Sequence, residues 1–279
     1  MPAEGAVARE GSIKSADGTE IFYRAWPKAG ALASFAVVHG LGDHGRRYER
    51  FALGMSRHGF ATFAVDLRGH GKSPGPRGHV DSWTKWTEDV AAFVAQVEAV
   101  AGGEVIPVGH SFGGAALLST ILADELPSTK RFIVSSPALR LKVPVPAWKL
   151  ALGKATSKVV PRLTLDNEVD PRTLSRLPEV VEAYRTDPLV HNKISSRMYA
   201  EWGAACRRIF EHAAGIRVPF LILAGTDDRL IDPQGSSELH RQTASVSELK
   251  LLEGRYHEPF NNLDNEEVFA MIAAWLSKT

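Results

Sequence analysis

The 279-residue chain carries a formal net charge of +1, a 44% hydrophobic fraction that includes six tryptophans, and one cysteine. That length and apolar content suit one large α/β domain with room for an insertion, and the balanced charge gives no reason to expect nucleic acid as a partner. The single cysteine, Cys206, excludes an intramolecular disulfide and fits a reducing compartment.

Cys206 reads as a buried helix residue without chemistry of its own. The N-terminal stretch Met1-Pro-Ala-Glu-Gly-Ala-Val-Ala-Arg-Glu10 lacks the apolar core of a signal peptide. No apolar run approaches the ~18 residues that span a bilayer. A soluble, cytoplasmic protein is therefore expected.

In chain order, residues 11–26 read as a hairpin, Ser12–Ser15 and Glu20–Trp26, turning at Asp17-Gly18. Phe35–His39 is strand-like, and Tyr48, Phe51, Ala52 and Met55 follow at helical spacing. Phe60–Val65 is a strand. Asp81 is an N-cap candidate for a helix through Val100, whose buried face is Trp83, Trp86, Val90, Phe93, Val94 and Val97. An apolar run from Val105 reads as a buried strand. A helix from Phe112 then carries Ala115, Leu118, Ile121 and Leu122 on one stripe. Arg131–Ser135, Val218–Ala224 and Glu248–Leu252 are further strands, and a helix over about Asn265–Leu276 closes the chain. Near-continuous apolar strands alternating with helices predict a mostly parallel sheet covered on both faces.

The alternation breaks over 138–196, a proline-rich stretch that reads as short helical pieces rather than strands. Trp148, Ala151, Leu152, Ala155 and Val159 fall on one helical face there, with Lys149, Lys154 and Lys158 elsewhere. Two readings fit: a surface helix packed on the core, or a lid whose apolar face opens onto an acyl-binding cleft. The expected organisation is a core built from 1–137 and 197–279 with a lid inserted at 138–196.

Between the central strand and its helix sits Gly109-His-Ser-Phe-Gly113, a G-x-S-x-G pentapeptide. A serine in so sharp a strand-to-helix turn needs neighbours without bulk, and the turn lifts its hydroxyl out of the sheet beside a helix N-terminus. A serine hydroxyl becomes a nucleophile only beside a base, and the base needs an orienting carboxylate. Loops after later strands supply both. Gly225-Thr-Asp-Asp-Arg-Leu-Ile-Asp232 offers Asp227, Asp228 and Asp232, and Glu253-Gly-Arg-Tyr-His257 offers the only histidine after the final strand. Oxyanion donors are expected at the backbone of Phe112, the residue after the serine, and at Leu41, whose flanking glycines let the loop turn inward. His39 and His110 sit at strand ends and suit structural, hydrogen-bonded roles.

A competing pattern lies in the same first loop. Gly40-Leu-Gly-Asp-His-Gly45 matches the dinucleotide fingerprint G-x-G-x-x-G, with Asp66 placed as the ribose carboxylate. Asp43 would repel a pyrophosphate there, two strands precede the supposed first strand, and the pattern leaves Ser111 and His257 without a role. No H-E-x-x-H or cysteine cluster suggests a metal.

Several stretches together resemble the monoglyceride lipase and lysophospholipase branch of the α/β-hydrolases. They are His39-Gly-Leu-Gly-Asp-His44 with Arg47-Tyr48, Asp66-Leu-Arg-Gly-His-Gly-Lys-Ser73, Gly109-His-Ser-Phe-Gly-Gly114, Gly225-Thr-Asp-Asp-Arg-Leu230 and Tyr256-His257-Glu258. Leu174-Ser-Arg176 with Tyr184 and Asp187-Pro-Leu189 is similar to that branch's lid. The resemblance implies an α/β-hydrolase fold, a mostly parallel sheet flanked by helices with an inserted helical lid. It further implies Ser111 as nucleophile, Asp228 as acid, His257 as base and Leu41 with Phe112 as oxyanion donors, without a cofactor. Asp43 and Arg47 fall at the glycerol end of the cleft, and Trp148, Leu152 and Val159 on the lid stripe would line the acyl channel. The implied substrate is a monoacylglycerol, with lysophospholipids and other single-chain esters as alternatives and a non-catalytic protein of this fold as a remote one. A lid of this kind would touch a membrane or micelle surface transiently.

Two departures concern the head group. Asp43 stands where eukaryotic monoglyceride lipases usually have Glu, and Phe260 where they place a second histidine. No cluster of arginines along the sequence marks a phosphate-binding end, which favours glycerol esters over phosphocholine esters.

Overall fold

A computed structural model describes residues 8–142, 157, 159–167 and 169–278. Strands β1 (Arg9–Lys14) and β2 (Glu20–Trp26) form the expected antiparallel hairpin. They edge a sheet continued by β3 (Ser34–Val38), β4 (Ala61–Asp66), β5 (Val105–His110) and β6 (Phe132–Ser135). The short strands β7 (Thr164–Asp166) and β8 (Lys193–Ser195) lie apart, and β9 (Phe220–Gly225) and β10 (Ser247–Leu252) complete the main sheet. Its order is β1-β2-β4-β3-β5-β6-β9-β10. From β4 to β10 every pairing is parallel, while β2 meets β4 antiparallel.

The central strands are apolar along most of their length because both of their faces are covered. In β3, Phe35 and Val37 point into one core cluster, and Ala36 and Val38 into the other. The first cluster is closed by α1 (Glu49–Arg57) and the C-terminal helix Asn265–Leu276, through Phe51, Met55, Phe269 and Ile272. The second is closed by α2 (Thr84–Ala101), α3 (Phe112–Leu122) and the helix Ser196–His212. A strand buried on both sides loses the polar alternation of a half-exposed one. The order places β3 and β5 side by side, with β4 and β6 beyond them on opposite sides, and the loops that follow β3 and β5 share one edge of the sheet. A crevice outside the carboxyl ends of strands at such a switch point is the usual ligand position in open α/β sheets.

Two expectations need correction. Asp81 does not cap α2: the helix starts at Thr84, and the Asp81 carboxylate is paired with His79 Nε2 at 3.1 Å instead. The stretch 138–196 is not free of strands. Among its described residues, β7 and β8 pair antiparallel into a ribbon, with α4 (Pro178–Thr186) between them. Each ribbon strand has three residues, too short for alternation to register, and the partners lie far apart in sequence. Ser195 ends the ribbon and caps α5 (Ser196–His212), its Oγ accepting from Met198 N–H at 3.1 Å. Among the described residues, further α-helices are α6 (Pro233–Gln242) and α7 (Asn265–Leu276), the latter over the span read from sequence. Trp148 and Leu152 of the apolar stripe lie outside the described residues, and Val159 is 81% exposed. No described helix is long and apolar enough to cross a membrane.

Candidate active site

Ser111 sits at the sharp turn between β5 and α3 with φ 52° and ψ −118°, left-handed backbone that an L residue adopts only under constraint. The constraint is visible. Ser111 N–H donates to the Ser135 carbonyl at 2.8 Å, and the Ser111 carbonyl accepts from Ala138 N–H at 2.9 Å. The flanking glycines are required by close approach. A Cβ on Gly113 would lie 2.4 Å from the carbonyl oxygens of Val38 and His39, and one on Gly109 would lie 2.6 Å from the Gly113 carbonyl oxygen. The pentapeptide therefore lets helix and strand cross tightly while the serine is held upright.

The loops after β9 and β10 bring two more side chains to this turn. His257 Nε2 is 2.9 Å from Ser111 Oγ, and His257 Nδ1 is 2.7 Å from Asp228 Oδ2. With hydrogen on Nδ1, the ring donates to the carboxylate and accepts from the serine hydroxyl. Asp228 Oδ1 accepts from the backbone N–H groups of Leu230 and Ile231 at 2.8 and 2.9 Å. All three residues are buried. Burial opposes charge on Asp228, but His257 and those two N–H groups outweigh it and hold the carboxyl below its ordinary range. Burial likewise opposes charge on His257, and Asp228 reverses this, raising the imidazole above its usual value. The other two carboxylates of the loop are engaged elsewhere. Asp232 caps α6 by accepting from Gln234 N–H, and Asp227 pairs with Arg176 at 2.6 Å on the surface.

The loop after β3 lies against the serine: a Cβ on Gly40 would come within 3.3 Å of Ser111 Cβ. His39 braces this loop, its Nδ1–H donating to the Gly40 carbonyl at 2.7 Å and its Nε2 accepting from Leu67 N–H at 3.0 Å. A trans peptide directs its N–H opposite to its carbonyl, so the hold on Gly40 C=O aims the Leu41 N–H away from His39. Phe112, the residue after the serine, is fixed by edge contacts with Trp83 and Trp86 at 5.2 and 4.7 Å between ring centroids. His110 packs 4.9 Å from the His257 ring and is pushed down to about 4 by burial and by that neighbour, so it is neutral. Cys206, on α5, donates to the Ala138 carbonyl, and burial pushes its thiol up to about 12. That makes it unreactive.

The dinucleotide pattern has no room to work. Asp66 is fully buried and accepts from Gly45 N–H, Lys72 N–H and Arg24 Nη1 at 2.7, 2.8 and 3.2 Å. Gly42 and Gly45 are required by the carbonyls of His191 and Ala64, which a Cβ would meet at 2.1 and 2.7 Å.

Asp43 and Arg47 lie in one buried cluster with a residue that sequence reasoning did not single out as a site residue, Glu258. The Arg47 guanidinium donates to both Glu258 oxygens at 2.8 Å each and lies 3.1 Å from Asp43 Oδ1. It also stands 4.7 Å over the Tyr184 ring of α4. Phe260 is buried against Phe51 at 4.7 Å. Arginines scattered in sequence do meet in space, since Arg176 and Arg229 both stack on Tyr256, at 4.9 and 4.7 Å.

Residues 30–264 match the hydrolase family described as serine aminopeptidase, S33. The chain belongs to that family. This S33 hydrolase is 33% identical over 274 residues to the monoglyceride lipase of Homo sapiens, covering 95% of this chain and 89% of that protein. It is 30% identical over 276 residues to the monoacylglycerol lipase of Mycolicibacterium smegmatis, covering 96% of each. The crystal structure of Paleococcus ferrophilus monoacylglycerol lipase matches with a TM-score of 0.81 and 30% identity, over 98% of this chain and 99% of that one. An uncharacterized abhydrolase domain-containing protein of Dictyostelium discoideum is 31% identical over 271 residues, and the chain spans 29% of its length. The fold is that of the α/β-hydrolases, and the S33 hydrolase is a carboxylic ester hydrolase similar to the monoglyceride lipases.

Proposed function

We propose that the chain hydrolyses the ester bond of monoacylglycerols through an acyl-serine intermediate. The observation that carries the reaction is the buried chain of hydrogen bonds from Ser111 through His257 to Asp228. As Ser111 Oγ attacks the ester carbonyl, His257 Nε2 takes the hydroxyl proton and Asp228 stabilises the imidazolium. The oxyanion is held by the Leu41 and Phe112 N–H groups. The tetrahedral adduct collapses, the C–O bond to glycerol breaks, and His257 returns the proton to the leaving alkoxide. A water then gives its proton to His257 and attacks the acyl-serine, and the second adduct releases the fatty acid with the proton going back to Ser111. Every proton is accounted for by His257, so these steps call for no cofactor.

The choice of substrate is supported by the motifs shared with monoglyceride lipases and by the full-length similarity to them. In this reading Val159, exposed rather than facing a channel, is on the side of a lid over 138–196 that touches lipid surfaces, and Trp148 and Leu152 line the acyl channel. Each methylene buried there adds up to ~0.8 kcal/mol. Asp43 and Arg47 shape the polar end. A second reading, lysophospholipid hydrolysis, is favoured by the exposed Arg229 beside Arg176 on Tyr256, next to His257. Initial rates on glycerol and phosphocholine esters of the same acyl chain separate the two. Faster cleavage of the glycerol ester is expected, and faster cleavage of the phosphocholine ester would overturn the head-group assignment.

A further inference from the structure

Arg47 touches three parts of the site at once: Asp43 on the loop after β3, Glu258 on the loop after β10, and Tyr184 on α4. Glu258 follows His257 directly, so whatever holds Glu258 holds the histidine. It is pinned at every polar group. Its carboxylate accepts both Arg47 bonds and a third from Asn261 Nδ2 at 3.0 Å. Its N–H donates to the Leu174 carbonyl at 2.9 Å, and its carbonyl accepts from Asn262 Nδ2 at 3.0 Å. Ser175 Oγ–H donates to the Asn261 carbonyl at 2.6 Å, stitching the same loop to the 174–177 stretch.

The charges of this cluster do not cancel. Asp43 and Glu258 share one guanidinium, and the Asp43, Arg47 and Glu258 side chains are each less than a tenth exposed. A net negative charge in a low-dielectric setting lies beside a histidine that becomes imidazolium in both halves of an acyl transfer. We propose that Glu258 is a positioning residue of the reaction: clamped by Arg47, it fixes the His257 loop against the oxyanion loop, and its charge favours the imidazolium. This inference rests on His257 being the base. The groups facing His257 are Asp228 at Nδ1, Ser111 at Nε2, the neutral His110 ring, and the Glu258 and Asp43 carboxylates, both of which are paired with Arg47.

The test is kcat and KM against pH for Glu258→Gln, Glu258→Asp, Asp43→Asn and His257→Ala in the full chain, using a short-chain monoacylglycerol. Folding of each is checked by circular dichroism. Glu258→Gln removes one negative charge, so the His257 pKa falls and the acid limb of kcat/KM moves to lower pH, by about half to one unit. Its kcat drops roughly tenfold, with KM within about twofold. Glu258→Asp keeps the charge, and its limb stays with the wild type. Asp43→Asn moves the limb in the same direction and carries the test if Glu258→Gln does not fold. A folded Glu258→Gln protein, or in its place Asp43→Asn, whose acid limb coincides with the wild type overturns the proposal. Activity retained in His257→Ala would instead overturn the assignment of the base.

Discussion

Three carboxylates compete for one role within six residues, and their surroundings separate them. Asp228 is buried and bonded to His257, Asp227 is paired with Arg176 at the surface, and Asp232 caps a helix. Asp228→Asn should lower turnover by about 10³ to 10⁴, because the imidazole loses the partner that sets its tautomer. Asp227→Asn should cost less than about tenfold, since an exposed ion pair contributes little. Steady-state rates on one ester substrate check both, and the reverse ranking would move the acid by one residue. The order of serine, carboxylate loop and histidine was legible because each follows a readable strand, an apolar run before Ser111 and before Asp228 and the half-exposed alternation of Glu248–Leu252 before His257. The role of Glu258 is not legible in the sequence, because its partner Arg47 lies 211 residues away. Nothing local announces that a glutamate is buried, since only the fold supplies the guanidinium that permits it.

At the scale of elements, the strands and the closing helix were readable from apolar periodicity, and the tight crossing of β5 and α3 from two glycines. Gly113→Ala tests that crossing. The new methyl would meet the backbone carbonyls of Val38 and His39, which a rigid central strand cannot withdraw. A loss of about 1–3 kcal/mol in urea unfolding is expected, with activity reduced further because the turn carries Ser111. Wild-type stability in this variant would mean that the crossing is looser than described. The β7–β8 ribbon was not readable, because three-residue strands carry no periodic signal. Asp81 failed as a cap for a different reason. Capping preference is local, and His79 offered the carboxylate a partner two residues away.

At the scale of the whole molecule, four buried or half-buried histidines are held neutral by burial. The His70 ring lies in tilted contact with His39 at 4.9 Å and with His191 at 4.7 Å, and His110 lies against His257. Burial lowers the pKa of all four, to about 4 for His110 and for the partly exposed His191. In the unfolded chain they protonate near the ordinary value of 6.5, so the unfolded state binds more protons over the interval below it. Stability should therefore fall as pH drops from about 6.5 towards 4, each fully buried group adding a slope of up to about 1.4 kcal/mol per pH unit. His257 acts with opposite sign. Its raised pKa contributes stability that is present below the unfolded value and lost as pH rises through the folded one. Urea midpoints measured from about pH 8 to pH 4 read the sum, and a flat profile on the acid side would contradict the neutral histidines.

The central claim is that Ser111 is the nucleophile of an acyl-transfer site, and the most direct measurement is covalent mapping. The protein is treated with a serine-directed fluorophosphonate, digested, and the modified peptide identified by mass spectrometry. The adduct should fall on Ser111 with one label per chain, and Ser111→Ala should be neither labelled nor active. An adduct on another residue, or a Ser111→Ala protein that still turns over monoacylglycerol, would contradict the account.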